Sequence, residues 1–140
     1  LQPHYNLIYR EEFERELRDV CKTYELGVIP YSPLAGGFLT GKYRQNEPLP
    51  ESKRAEGRKR AMTEKNFELL YEMEAIALHR KASLSQIALA WILADPVITS
   101  PIIGATSIEQ LNENLGALNV HLTEDERKTL DTMTAWKKED

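Results

Sequence analysis

Two stretches of this sequence carry residues whose types and spacing could bind a planar, phosphorylated ligand. The first is Tyr31-Ser32-Pro33-Leu34-Ala35-Gly36-Gly37-Phe38-Leu39-Thr40-Gly41-Lys42-Tyr43. Small side chains at 35–37 let backbone N–H groups approach an anion closely, Ser32 adds a hydroxyl, and Lys42 adds a charge. Tyr31 offers a flat ring for stacking a heterocycle, although a tyrosine at a strand end also reads as plain core. The second stretch is Gly104-Ala105-Thr106-Ser107-Ile108-Glu109-Gln110-Leu111-Asn112-Glu113-Asn114. On a helix, Gln110, Glu113 and Asn114 fall opposite the Ile108/Leu111/Leu115 stripe, and Thr106 precedes them in line. Uncharged donors and acceptors beside one carboxylate suit the edge and ribose of an adenosine. The same set also reads as an ordinary solvated helix face. No G-x-G-x-x-G fingerprint or Walker A loop is present, so a nucleotide here would be held in neither of those ways.

These stretches need elements to position them. Residues 1–4 read as the end of a strand, and residues 11–24 as an amphipathic helix with Phe13, Leu17, Val20, Cys21 and Tyr24 on one face. Gly27 is the expected helix stop, and 28–31 is a short buried-strand pattern. Residues 32–62 read as a long loop rich in Gly, Pro and charge. The helical pattern resumes over 63–82, where Leu69, Leu70, Met73, Ile76 and Ala77 share a face. Ser83 and Gln86 have capping-box spacing, followed by Ile87 to Leu93, apolar all round and expected to be buried, and Asp95-Pro96 as a stop. A third strand is expected over 97–103, and a helix over 107–118 with Ile108, Leu111, Leu115 and Leu118 as its core stripe. Thr123 and Glu126 repeat the capping box and open a last helix anchored by Leu130 and Met133.

Alternating strands and helices imply an α/β fold with parallel strands and right-handed crossovers. Three strands alone leave both edges of a parallel sheet unpaired. The pattern is that of a portion of a larger barrel or sheet, or of a chain that self-associates through its open edges.

Composition narrows the ligand. The 140 residues suffice for one domain, whereas a complete (β/α)₈ barrel takes about 250. The sequence opens on Leu1 with no basic-then-apolar leader, so a piece of a longer, non-secreted protein is the simplest expectation. No apolar run reaches the roughly 18 residues of a membrane span. Cys21 is the one cysteine, which excludes an internal disulfide and fits a reducing, cytoplasmic compartment. His4, His79 and His121 are scattered, so no metal site is expected. A net charge of −4 argues against nucleic acid as a partner. Residues 41–60 nevertheless set Lys42, Arg44, Lys53, Arg54, Arg58, Lys59 and Arg60 against Glu47, Glu51 and Glu56. Such a cationic loop on an anionic body suits a small phosphorylated ligand, or is simply a solvated loop.

The run Y-S-P-L-A-G-G-F-L-T-G-K-Y, followed about 60 residues later by I-I-G-A-T-S-I-E-Q-L-N-E-N-L, resembles the aldo-keto reductase superfamily. The similarity is to the branch of bacterial general reductases and potassium-channel β subunits, and it covers essentially the whole chain. The opening L-Q-P-H-Y-N-L-I-Y-R is similar to the end of that family's sixth strand and the loop after it. The resemblance implies that residues 1–140 are the C-terminal portion of a (β/α)₈ TIM barrel, strands 6–8 and their helices, binding NADP(H). By position, Gln2 would hydrogen-bond the nicotinamide carboxamide and Tyr31 would stack on its ring. Ser32, Pro33, Leu34, Ala35, Gly36 and Gly37 would line the pyrophosphate, with Lys42 nearby. Arg54, Gly104, Thr106 and Gln110 would surround the adenosine 2′-phosphate, and Glu113 and Asn114 would hold the adenine. The family often has a more basic residue near Thr106.

The same resemblance implies that no catalytic residue lies here. The family's tyrosine, lysine, aspartate and histidine all belong to the first half of its barrel. His4, beside Gln2 on the implied sixth strand, does not match the family histidine and reads as a neighbour of the pocket, and Tyr5, Tyr9 and Tyr43 match no catalytic position. The implied parent reduces small-molecule aldehydes or ketones by hydride transfer. A regulatory nucleotide-binding module like the channel β subunits and a self-associating half-barrel without cofactor are the alternatives.

Overall fold

The computed structural model describes residues 1–43, 45 and 59–136. Arg54 and most of the basic loop lie outside the described residues.

Three extended segments, 1–4, 28–31 and 97–103, run parallel with 28–31 in the middle, through the bridges His4↔Tyr31 and Val28↔Ile98. The middle segment works alternately. Ile29 and Tyr31 donate N–H to the carbonyls of Leu1 and Pro3, each at 2.9 Å, while the carbonyls of Val28 and Pro30 accept from Thr99 and Ile102, each at 2.8 Å. The strands expected from the sequence are present as isolated bridges, not as a continuous ladder. Pro3, Pro30 and Pro101 put one residue without an N–H in each segment, which interrupts the pairing.

The first helix departs from its expected winding. Phe13–Leu17 is π-helical and passes directly into an α-helix, α1, Arg18–Thr23. The wider i→i+5 turn rotates the chain less per residue, so a stripe drawn at 3.6 residues per turn slips out of register. Phe13 and Cys21 are buried, but Val20 and Tyr24 are 46% and 71% exposed. Nor does Gly27 stop the helix. Glu25 takes the left-handed position at φ 53, and Leu26 N–H closes the end on the Cys21 carbonyl at 2.9 Å.

The next two helices follow the sequence closely. In α2, Glu64–Arg80, the whole predicted face from Leu69 to Ala77 is buried, and Thr63 caps the N-terminus through Asn66 N–H. In α3, Leu84–Leu93, Ser83 Oγ accepts from Gln86 N–H at 3.2 Å while Gln86 Oε1 accepts from Ser83 N–H at 3.0 Å. This helix sits at the centre of the molecule. It packs against α2, against a 3₁₀ helix at Ala35–Thr40, against α4 (Ile108–Leu115) and against a 3₁₀ turn at Gly116–Asn119. Being covered from several sides is why it is apolar all round. The last helix, α5, Glu124–Met133, buries Leu130 fully and clamps to α2 through Glu126, which accepts from Arg80 Nη2 at 2.8 Å.

Helix α4 reverses expectation. Its apolar stripe faces out, with Ile108 73%, Leu111 41% and Leu115 47% exposed, as is Leu118 (63%) in the 3₁₀ turn after it, while Asn114 on the polar side is buried. Amphipathicity fixes that a helix has two faces, but the neighbours present decide which one is covered. Here the neighbour is α3, with Gln86 Nε2 donating to the Glu113 carbonyl at 2.8 Å on the polar side.

Candidate functional site

The segment after 28–31 turns sharply, because four of its residues adopt left-handed backbone. Ser32, Ala35, Gly36 and Gly37 have φ of 55, 50, 63 and 91°. Two of these are not glycine, so the turn is strained and must be held. Asn6 does the holding. It is fully buried; its Nδ2 donates to the Ser32 carbonyl at 2.9 Å and its Oδ1 accepts from Ile8 and Tyr9 N–H at 3.0 and 3.1 Å. Within the stretch read as loop, Ala35–Thr40 winds into 3₁₀ turns kinked at Gly36 and Gly37 and buries Phe38 and Leu39.

This turn forms one wall of a cleft of about 890 Å³. Ser32, Pro33, Leu34, Ala35, Gly36, Gly37 and Lys42 line it together with Gly104, Thr106, Gln110, Glu113 and Asn114. Two stretches more than sixty positions apart in the chain thus share one cavity. Lys42 lies across Gly37, where any side chain would run into its ammonium end. At Gly104 an added Cβ would meet nothing within 4 Å, so the backbone there opens onto free space. Lys42 and Glu113 supply the lining's full charges, one cationic beside the turn and one anionic on α4.

Gln110 shapes the second wall from within. Its Oε1 accepts from both the N–H and the hydroxyl of Thr106 at 3.0 Å, and its own N–H is capped by Ser107 Oγ at 3.2 Å. The loop entering α4 is therefore folded back on the helix's first turn.

Two of the predicted site residues, Gln2 and Tyr31, stand apart from the cleft lining. Gln2 is exposed on the first segment, and Tyr31 is 45% exposed just before the turn. Arg54 lies outside the described residues. Conversely, the lining includes Tyr9, Thr40, Ser85, Ile102 and Ile103, which sequence reasoning did not place there. His4, read from the sequence as a neighbour of the pocket beside Gln2, lines the cleft itself. Burial pulls its imidazole below the ordinary 6.5 against the opposing pull of Glu12, which keeps the ring neutral at neutral pH.

Tyr5 lies elsewhere. Its hydroxyl donates to Glu14 Oε1 at 2.8 Å, and burial followed by the Glu14 charge pushes its pKa far up, so it stays protonated. Arg10 and Trp136 Nε1 donate to the same carboxylate, which ties the segment after α5 to the π-helical turn. Among the described residues, no cluster of His, Cys, Asp and Glu could hold a metal ion, and no helix is long and apolar enough to cross a membrane.

The sequence matches the Aldo/keto reductase family over residues 1–135. The chain belongs to this family. It is 40% identical over 124 residues to the L-glyceraldehyde 3-phosphate reductase of Escherichia coli (strain K12), covering 84% of this chain and 36% of that protein. To a probable voltage-gated potassium channel subunit beta of Oryza sativa subsp. japonica it is 38% identical over 124 residues, covering 85% and 38%. Its structure is similar to that of a thermostable aldo-keto reductase solved with the inhibitor epalrestat, at a TM-score of 0.66 and 29% identity, over 94% of this chain and 38% of that one. The chain thus spans little more than a third of the length of the proteins it matches.

Proposed function

We propose that this aldo-keto reductase chain is the NADP(H)-binding portion of an enzyme that reduces small aldehydes or ketones, its extended segments being strands 6–8 of a (β/α)₈ barrel. The observation that carries the reading is the shared cleft, in which the Ser32–Lys42 turn and the Gly104–Asn114 stretch line one cavity. The residues fit the cofactor. Backbone at Gly36 and Gly37, with Lys42 across it, suits a pyrophosphate, and the open space at Gly104 leaves room for a phosphate beside Thr106 and Gln110. Glu113 and Asn114 offer partners for an adenine edge. Tyr31 and Gln2 are assigned to the nicotinamide and its carboxamide, and Arg54 to the 2′-phosphate.

When bound, the nicotinamide supplies a hydride to a carbonyl carbon. This chain's own residues bind and orient. The carbonyl oxygen also needs a proton donor. Tyr5 is committed to Glu14, and His4 is stacked on two tyrosine rings. These 140 residues alone should therefore show negligible turnover of an aldehyde with NADPH, in a cytoplasmic setting that suits the buried lone Cys21. Arg54→Ala should weaken NADPH more than NADH; equal losses would remove the 2′-phosphate assignment.

The exposed stripe of α4 favours a second reading, in which the chain pairs with a copy of itself. The two differ in sedimentation. A barrel portion that only awaits the rest of its own fold runs as a monomer at low concentration, whereas a self-pairing half sediments as a dimer.

A further inference from the structure

We infer that His4 is a positioning residue for the nicotinamide ring, acting through the plane of Tyr31. The inference rests on the cofactor reading and adds a residue to it.

The geometry begins with the sheet register. His4 and Tyr31 form a parallel bridge between the first two extended segments, so their side chains stand next to each other. Their rings are nearly coplanar in orientation, 14° apart, with centroids at 5.0 Å. His4 also stacks on Tyr9, centroids at 4.5 Å and planes 30° apart. Tyr9 is in turn fixed by the tight turn it makes with Asn6, whose paired backbone bonds are 3.1 and 3.3 Å. His4 thus joins two rings, Tyr9, which is held beside a fully buried asparagine, and Tyr31, which is 45% exposed.

Burial does not fix the Tyr31 ring, because nearly half its surface is free. The His4 contact orients it. A planar heterocycle laid on Tyr31 would extend the stack by one ring, and its tilt would be set by the histidine behind. The imidazole is neutral under ordinary conditions, so it backs the tyrosine as a flat ring and adds no charge beside the ligand.

The test compares two ligands on the chain itself. NADPH carries both halves of the cofactor, and adenosine 2′,5′-bisphosphate carries the adenosine half alone. His4→Ala should weaken NADPH about fivefold, the order of one ring-stacking contact, and leave the bisphosphate within about twofold. His4→Phe, which restores a flat ring, should recover NADPH binding to within about twofold of the original. Equal loss of both ligands in His4→Ala would mean a general structural role and would overturn the inference. So would no loss of either, or tighter NADPH binding, which would show that His4 occupies the face the nicotinamide needs. If the unaltered chain binds neither ligand, the cofactor reading fails first and the inference goes with it.

Discussion

Lys42 lies across the backbone of Gly37, so that a Cβ added to Gly37 would stand 2.8 Å from both Cε and Nζ of the lysine. A lysine end is flexible and can swing away, but the φ of 91° at Gly37 cannot be relieved in the same manner. Gly37→Ala should therefore cost about 1–2 kcal/mol of stability through the left-handed backbone. It should also displace the ammonium from the turn and weaken NADPH by about tenfold, roughly the loss of one charge-assisted contact. Thermal unfolding and a binding titration separate the two effects. Lys42→Ala should reproduce the second without the first.

Asn6 holds the strained Ser32 turn with three hydrogen bonds from a fully buried side chain. Asn6→Leu removes all three; Tyr9 N–H and the Ser32 carbonyl keep backbone partners while Ile8 N–H loses its acceptor, which should cost about 1–3 kcal/mol in urea unfolding. Asn6→Ser, which retains an acceptor near Ile8 and Tyr9 but cannot reach Ser32, should fall between. A change under about 0.5 kcal/mol for Asn6→Leu would show that the turn holds itself.

The clamp between α2 and α5 should be acid-labile. Burial alone would raise the Glu126 carboxyl, but the Arg80 hydrogen bonds and the Thr123 cap outweigh it and hold its pKa below the ordinary 4.5. A carboxyl depressed by folding contributes stability that is complete above its unfolded pKa and is lost as pH falls through the folded one. Unfolding stability should thus decline below about pH 4.5, and Glu126→Gln should flatten that part of the profile. An unchanged acid limb in the variant would mean that other carboxylates carry it.

Two substitutions on α4 distinguish an outward stripe from a core one. Ile108→Lys with Leu115→Glu should change the stability of this chain by no more than about 0.5 kcal/mol per site, as at exposed positions. Core residues of that size would lose about 2–5 kcal/mol on truncation alone. If the chain self-associates through this face, the same pair should shift sedimentation toward the monomer.

What the sequence revealed and what it hid follow from how local each signal is. The capping boxes at Ser83/Gln86 and Thr123/Glu126 are complete within four residues, and both form as read. The buried face of α2 and the all-round burial of α3 depend on periodicity over ten or more residues, and these too were legible. The π-helical turn at Phe13–Leu17 was not, because no residue type announces an i→i+5 bond. The stop at Glu25 was hidden for a related reason: a non-glycine residue took the left-handed position while Gly27 stood two residues on. The orientation of α4 depends on which neighbours are present, which its own residues do not encode. At the site, small residues and a lysine marked the turn, but Asn6 lies 26 positions from the Ser32 it holds. Its part in the site is a tertiary contact, invisible to spacing.

The central claim is that the cleft between Ser32–Lys42 and Gly104–Asn114 holds NADP(H), and calorimetric titration of the unaltered chain with NADPH tests it most directly. The account predicts saturable binding of one NADPH per chain, weakened by Lys42→Ala. Absence of saturable binding by a chain that is folded by circular dichroism would contradict it.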